Sequence, residues 1–75
     1  MSKLSYAVIL EPNDEGEGYT ATVPALPGCV SVGGSVDEAL ENIKDAILLW
    51  ISMARKSGEE IPKDNVFVSK VTVQG

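Results

Sequence analysis

The side chains of this chain that could do chemistry are one thiol and a cluster of carboxylates. Nucleophilic catalysis by a serine or cysteine triad needs an imidazole to move the proton, and the chain contains no histidine. Cys29, the single cysteine, follows a tight turn and is expected to pack as a small buried hydrophobic residue. The sequence therefore predicts no catalytic residue.

The carboxylates crowd the segment 11–17, where they could in principle hold magnesium or calcium. They are Glu11, Asp14, Glu15 and Glu17. Their spacing lacks the alternate ligands and the closing glutamate of a calcium loop, and a lone thiol without histidine cannot form a zinc site. We therefore expect a solvated acidic loop, with no metal and no cofactor.

A glycine pair, Gly33-Gly34, precedes Ser35 at the start of a predicted helix, where free amide hydrogens could attract a phosphate. No lysine follows the glycines, as it does in a Walker phosphate-binding loop. Asp37 and Glu38 would also repel an anion here. The glycines are better explained by a tight bend of the chain into the helix.

Charge and hydropathy narrow the classes of partner. The formal net charge is −5 and the six Lys and Arg residues are scattered, so direct nucleic-acid binding is not expected. An acidic surface would either attract a basic protein or simply maintain solubility. The chain lacks an apolar run of the ~20 residues that span a bilayer. With no secretory leader at Met1–Leu4 and a single cysteine, the sequence favours a bacterial or archaeal cytoplasm.

The length of 75 residues predicts a single domain, residues 1–75, with a marginal hydrophobic core. Domains of this size usually gain stability from a disulfide, a metal or a partner subunit. One cysteine and no histidine exclude the first two, so we expect a homo-oligomer.

The order of predicted elements is β-β-β-α-β, which indicates an α+β fold: a small, mostly antiparallel sheet with one long helix packed on one face. The predicted strands lie at residues 4–10, 19–23, 29–32 and 66–73. Both sides of the first strand are apolar, so it is expected to be central. In the last strand, Phe67, Val71 and Val73 share one side. Pro27-Gly28 suits the central positions of a type II turn.

The helix is predicted from Ser35 to Ser57, because Ser35 and Glu38 fit a capping box and Gly58 fits a C-terminal stop. Its core stripe at helical spacing comprises Val36, Leu40, Ile43, Ile47, Trp50, Ile51 and Ala54.

Three further apolar side chains of the helix fall outside this stripe. Leu49 and Met53 lie beside its edge, and Leu48 lies nearly opposite them. Packing on one face of a sheet does not require apolar side chains around so much of the helix circumference. Either these three residues form a protein interface, or neighbouring loops cover them.

The chain resembles the HicB-like antitoxin family over nearly its whole length. The resemblance rests on Gly18-Tyr19, on Pro24, Leu26, Pro27, Gly28 and Cys29, on Gly34-Ser35, on Glu38-Ala39-Leu40, and on Gly58 with Ile61-Pro62. It implies a partial RNase H-like fold, in which a three-stranded meander is followed by a helix and a fourth strand. It implies a structural role for Pro24, Leu26, Pro27, Gly28, Cys29, Gly34, Ser35, Glu38 and Ala39. The family usually has an acidic residue where this chain has Ala25.

The resemblance also implies a function: such antitoxins bind and inhibit small, basic, RNA-cleaving HicA toxins. Many carry a C-terminal DNA-binding segment, for which this chain leaves no room after its last predicted strand, so autorepression is not expected. An RNase H-like shape does not confer nuclease activity. That chemistry needs several carboxylates around two metal ions, whereas the interior side of the first strand offers Leu4, Tyr6, Val8 and Leu10.

Two alternatives stay open beside toxin neutralisation. One is an oligomeric stand-alone domain that binds some other protein and has no toxin. The other is a metal-dependent nuclease remnant, in which Asp14 or Glu15 would be required for RNA cleavage.

Overall fold

The computed structural model describes residues 4–14 and 16–75, in which three short strands precede one long helix. They are β1 (Ile9–Pro12), β2 (Tyr19–Thr22), β3 (Val30–Gly33) and α1 (Val36–Lys56). The strands form an antiparallel sheet in the order β1-β2-β3, and α1 packs against β2 and β3. The predicted α+β class is confirmed. Glu15 of the predicted acidic loop and residues 1–3 lie outside the described residues.

The register of the sheet separates a core face from an outer face. Leu10 pairs with Ala21, and Ala21 pairs with Ser31, so this row faces α1 and leaves Ala21 with no exposed surface. The adjacent row, which contains Thr20 and Val32, faces away from the helix, and Val32 is 58% exposed. The core therefore lies in the single layer between the sheet and α1.

The first strand differs from the sequence prediction in length and in position. Residues 4–10 are predicted as a central strand, whereas β1 begins at Ile9 and is an edge strand among the described residues. Ile9 already pairs with Thr22, the last residue of β2. Beyond that point the Val23 amide donates to the Cys29 carbonyl, at 3.1 Å, so residues 4–8 have no strand to pair with.

The predicted last strand, residues 66–73, is not a strand in the structure. No residue from 61 to 75 is assigned to a strand, and Phe67 is 96% exposed. A strand needs a neighbour to satisfy its backbone amides and carbonyls, and no backbone hydrogen bond joins residues 66–73 to a described strand. The β-β-β-α part of the predicted order is therefore observed, and the last strand is not.

The N-terminus of α1 is capped as predicted. Ser35 Oγ accepts a hydrogen bond from the Glu38 amide at 3.1 Å. The Glu38 carboxylate accepts one from the Gly34 amide at 2.6 Å, one residue before the position that a standard capping box uses. Two amides at the start of the helix thus have side-chain partners.

The C-terminus of α1 ends in a Schellman motif, which confirms the predicted stop at Gly58. Gly58 has φ +72° and donates to the Arg55 carbonyl at 3.1 Å. Glu59 donates to the Ala54 carbonyl at 2.9 Å. The helix therefore spans about 32 Å between two well-formed ends.

The predicted core stripe is correct from Ile43 onward and wrong at its first two residues, Val36 and Leu40. Val36 and Leu40 are 39% and 40% exposed, whereas Ala39 is fully buried. The reason is the close approach of Gly33: a Cβ built there would lie 2.8 Å from Ala39 Cα and in contact with Ala39 N. Only a small side chain fits at that approach, so Ala39 takes the contact and Leu40 is displaced to the side.

Candidate protein interface

The loop that joins β2 to β3 is folded by its own backbone hydrogen bonds. The Leu26 amide donates to the Val23 carbonyl, and the Cys29 amide donates to the Leu26 carbonyl, at 3.1 and 3.0 Å. Gly28 has φ +79°, as the predicted type II turn requires. The loop consists of two successive tight turns that bury Leu26 completely between them and the helix.

Residues of the Pro-Gly motif divide between core and surface. Leu26 and Cys29 are buried, whereas Pro24, Pro27 and Gly28 are exposed. The exposed turn is nevertheless fixed to the helix, because Trp50 Nε1 donates to the Pro27 carbonyl at 2.9 Å. The structural role predicted for this motif stays a prediction, and the variants described in the Discussion test it.

Cys29 is 3% exposed and belongs to the core, and its burial raises the pKa of the thiol. A neutral, enclosed thiol is a poor nucleophile. We expect iodoacetamide to alkylate folded protein at least about 100-fold more slowly than protein in concentrated urea. The free energy of unfolding should also fall as the pH rises above the ordinary thiol pKa, because the unfolded thiol ionises first. Equal alkylation rates, measured by mass spectrometry, would contradict a buried role.

Gly34, Ser35 and Glu38 lie together at the exposed start of α1, where their hydrogen bonds serve the cap. Ala39, one residue on, is in the core. This group includes the Glu38 carboxylate, which would repel an anion, and it includes no cationic side chain. The arrangement can hold the helix against the sheet, and it is unsuited to a phosphate.

Leu48 borders an apolar groove of about 480 Å³, named here the β1–α1 groove because the residues that lead into β1 line it opposite α1. Leu4, Tyr6 and Val8 form one wall of this groove. Leu40, Ile43, Ile47, Leu48 and Ile51 form the helix wall, and Lys44 and Arg55 lie at its rim. Leu48 itself is 59% exposed, so no part of the described chain covers it.

Leu49 and Met53 lie on the other flank of α1, as the helical spacing predicts. They border a shallower cavity of about 230 Å³ with Val30 and Trp50. Leu49 and Met53 are 62% and 61% exposed. The three candidate residues therefore belong to two separate apolar surfaces, and whether either one binds a partner stays a prediction.

Two exposed valines of β3 were not among the predicted interface residues. Val30 and Val32 are 50% and 58% exposed on the outer face of the sheet. Their alternation with Ser31 was visible in the sequence, but the side that faces the helix was not. Val30 also borders the Leu49–Met53 cavity, so that apolar surface continues from the helix onto the sheet edge.

Most acidic side chains gather at one end of the molecule, named here the acidic end. The β1–β2 loop meets the start of α1 there, because Tyr19 pairs with Gly33, which is separated from the helix only by Gly34 and the N-cap Ser35. The described members are Glu11, Asp14, Glu17, Asp37, Glu38 and Glu41. Arg55 and Lys56 lie at the other end of α1, in its last turn. The acids of the β1–β2 loop and of the first turns of α1 therefore share one end of the molecule.

Residues 4–14 and 16–75 contain no group of three His, Cys, Asp or Glu side chains that could hold a metal ion. In the same residues, no helix is both long enough and apolar enough to cross a bilayer.

The amino-acid sequence is similar to those of a known protein family. Residues 6–73 match the family model described as "HicB_like antitoxin of bacterial toxin-antitoxin system". A UPF0150 protein of Thermoplasma acidophilum is 45% identical over 62 residues, which cover 83% of this chain and 88% of that protein. A UPF0150 protein of Synechocystis is 36% identical over 69 residues, which cover 92% and 86% of the two chains.

A named antitoxin is also similar to this chain. Antitoxin HicB 1 of Photorhabdus laumondii is 34% identical over 62 residues, which cover 83% of this chain and 39% of the antitoxin. The similarity therefore concerns one part of a longer protein.

Proposed function

Because this chain belongs to the HicB-like antitoxin family, we propose that it binds and neutralises a small, basic, RNA-cleaving toxin of the HicA type. It acts by recognition of that protein and not by catalysis, in the cytoplasm where the toxin meets its RNA. Residues 1–75 serve as one binding domain.

The acidic end is the observation that carries this proposal. A toxin that cleaves RNA must attract a polyanion, so its RNA-binding surface is expected to be basic. The acidic end presents the opposite charge on a frame made of two fixed elements, the β1–β2 loop and the start of α1. Asn13 stiffens the loop through two hydrogen bonds. Its backbone amide donates to the Gly18 carbonyl at 3.0 Å, and its side-chain Oδ1 accepts from Thr20 Oγ1 at 2.6 Å. Long-range attraction would accelerate the encounter, and the fixed carboxylates would occupy the surface that RNA needs.

The proposal is tested by titrating this protein into a catalytically inactive HicA-type toxin from the same genome, with isothermal calorimetry. The variant Glu17→Lys/Glu41→Lys reverses two charges of the acidic end. We expect its affinity to be at least about tenfold weaker, mainly through slower association, and the difference to shrink in high salt. The matched control, Glu59→Lys/Glu60→Lys, makes the same change of charge beyond the C-terminus of α1. It should bind nearly as tightly as the unmodified chain.

Two results would contradict the proposal. The first is the absence of binding at micromolar concentrations of both proteins. The second is an equal loss of affinity in the two charge-reversed variants, because net charge and not the acidic end would then be responsible.

A second candidate is an oligomeric domain that binds a different protein and has no toxin. The exposed apolar side chains of residues 67–73 favour it, since such a segment is typical of a surface that another chain covers. Failure of every HicA-type toxin from the genome to bind would leave this candidate in place.

A further inference from the structure

We propose that two copies of this chain exchange their C-terminal segments, so that residues 66–73 of each copy lie in the β1–α1 groove of the other. The inference concerns self-assembly and is independent of the toxin. It rests on the segment, the groove and the anchor between them.

Residues 66–73 have the alternating sequence pattern of a β-strand but belong to no sheet. Phe67, Val71 and Val73 alternate onto one side, and their exposed fractions are 96%, 85% and 79%. Val66 and Val68 occupy the opposite side, of which Val68 is 67% exposed. β-branched and aromatic residues at this spacing favour an extended strand that is covered on at least one face.

The β1–α1 groove is apolar and could accept such a strand. Tyr6 and Val8 form one wall, and Leu40, Ile47 and Leu48 contribute to the other. β1 is an edge strand, and its outer side is not paired with any described strand. Residues 4–8, which lead into β1 and form this wall, also pair with no described strand. A strand placed beside them would therefore gain backbone partners and cover the apolar helix wall at the same time. Peptide segments commonly bind to other proteins by adding a strand in this way.

Two hydrogen bonds, called here the anchor, fix residues 62–64 beside the groove, and the chain after Asp64 is not fixed in this way. Tyr6 donates its hydroxyl hydrogen to the Pro62 carbonyl at 2.6 Å, and the Ala7 amide donates to Asp64 Oδ2 at 2.8 Å. Among the described residues, no hydrogen bond holds the chain after Asp64. Residues 62–64 are thus fixed against residues 6–7, whereas the segment 66–73 extends into solvent.

The dimensions of the molecule favour a second copy over the chain's own groove. The Cα radius of gyration is 14.2 Å, and the longest extent is 47 Å. A compact chain of this length would have a radius of gyration of about 11 Å. The segment projects from its own body, and Asn65, which follows the fixed residues 62–64, acts as the hinge. Exchange of identical elements about a two-fold axis fills both grooves and leaves neither segment exposed.

The first test is the mass in solution. Size-exclusion chromatography with light scattering should give twice the chain mass of 7.9 kDa at micromolar concentration. Phe67→Ser/Val71→Ser should convert the dimer to a monomer, or raise the dimer dissociation constant at least about 100-fold, because it removes the side that enters the groove. The matched control is Lys70→Ser, on the other side of the same segment, and it should remain dimeric. A monomer for the unmodified chain, or a dimer that Phe67→Ser/Val71→Ser leaves intact, would overturn the proposal.

The second test identifies which groove the segment enters, and it does not depend on a destabilised variant. Val71→Cys is made in one copy and Leu48→Cys in another, and the two are mixed, equilibrated and oxidised. Exchange predicts a disulfide between the two different chains, identified by mass spectrometry of the linked peptides. In a chain that carries both cysteines, exchange predicts covalent dimers on a non-reducing gel. A disulfide confined within single chains would overturn exchange, because the segment would then occupy its own groove. Neither measurement contains a toxin, so its result is distinct from that of the calorimetric titration.

Discussion

The Gly33→Ala variant is expected to lose about 3 kcal/mol or more of its free energy of unfolding, at the upper end of what overpacking usually costs. The added Cβ would meet Ala39 N and lie 2.8 Å from Ala39 Cα and from the Glu38 carbonyl carbon. These are backbone atoms of α1, so no side-chain rotation can relieve the overlap. The helix would have to move away from the sheet over the buried Ala39. A domain of this length has about 4–11 kcal/mol of stability in total, so the loss would remove a large fraction of it.

The adjacent glycine is the control for this prediction. A Cβ on Gly34 would meet only Glu38 Oε1, at 3.5 Å, which is an ordinary contact with the end of a flexible side chain. Gly34→Ala should therefore change the free energy of unfolding by less than about 1 kcal/mol. Urea unfolding followed by circular dichroism measures both variants. If Gly33→Ala and Gly34→Ala lower the free energy of unfolding equally, the close approach of β3 to α1 does not restrict residue 33 to glycine.

The Leu26→Ala variant is expected to lose about 2–5 kcal/mol, the range observed when a buried leucine is truncated in a well-packed core. Leu26 has no exposed surface and is among the largest fully buried side chains. It lies in a loop and not in a strand or the helix, so its contacts depend on the two tight turns around it. These turns leave little freedom for the backbone to collapse into the space that the side chain vacates. We therefore expect a value in the upper half of the range.

Leu49→Ala makes the same chemical change at a site that is 62% exposed. Its effect on the free energy of unfolding should be within about 0.5 kcal/mol of zero, as for most surface substitutions. Comparable losses in the two leucine variants would show that the Leu26 loop is not part of the core. The predicted structural role of the Pro-Gly motif would then be wrong.

The features that the sequence predicted well depend on residues close together in the chain. Ser35 and Glu38 mark the start of the helix, because the capping bonds join residues three or four apart. Pro27-Gly28 marks the turn, because it presets the two backbone angles that the turn needs. The antiparallel meander follows from the short connections between its strands.

The features that the sequence predicted poorly depend on contacts between distant residues. The edge position of β1 depends on whether residues 66–73 lie beside it, some 60 residues later in the chain. The burial of Ala39 in place of Leu40 depends on the approach of Gly33 to the helix. Helical spacing placed Leu48 and Leu49 on opposite flanks, but only the packed sheet shows that the first borders a groove with Tyr6.

The gathering of acids at one end depends on topology and not on sequence proximity. Glu11 and Glu41 are 30 positions apart, and the turn from β3 into α1 brings their elements to the same end. Charge counted along the chain therefore gives the sign of a partner, while the fold gives the location at which that partner would meet the surface.

Residues 62–64 lie beside residues 6–7, so the exchanged segment would leave each body on the side of the groove, whereas the β1–β2 loop lies at the far end of β1. A dimer joined through the C-terminal segments would carry two acidic ends, one on each copy. On the proposed function, such a dimer would bind two toxins, one for each chain. A partner that presented two binding surfaces would be held by avidity, more tightly than by either contact alone.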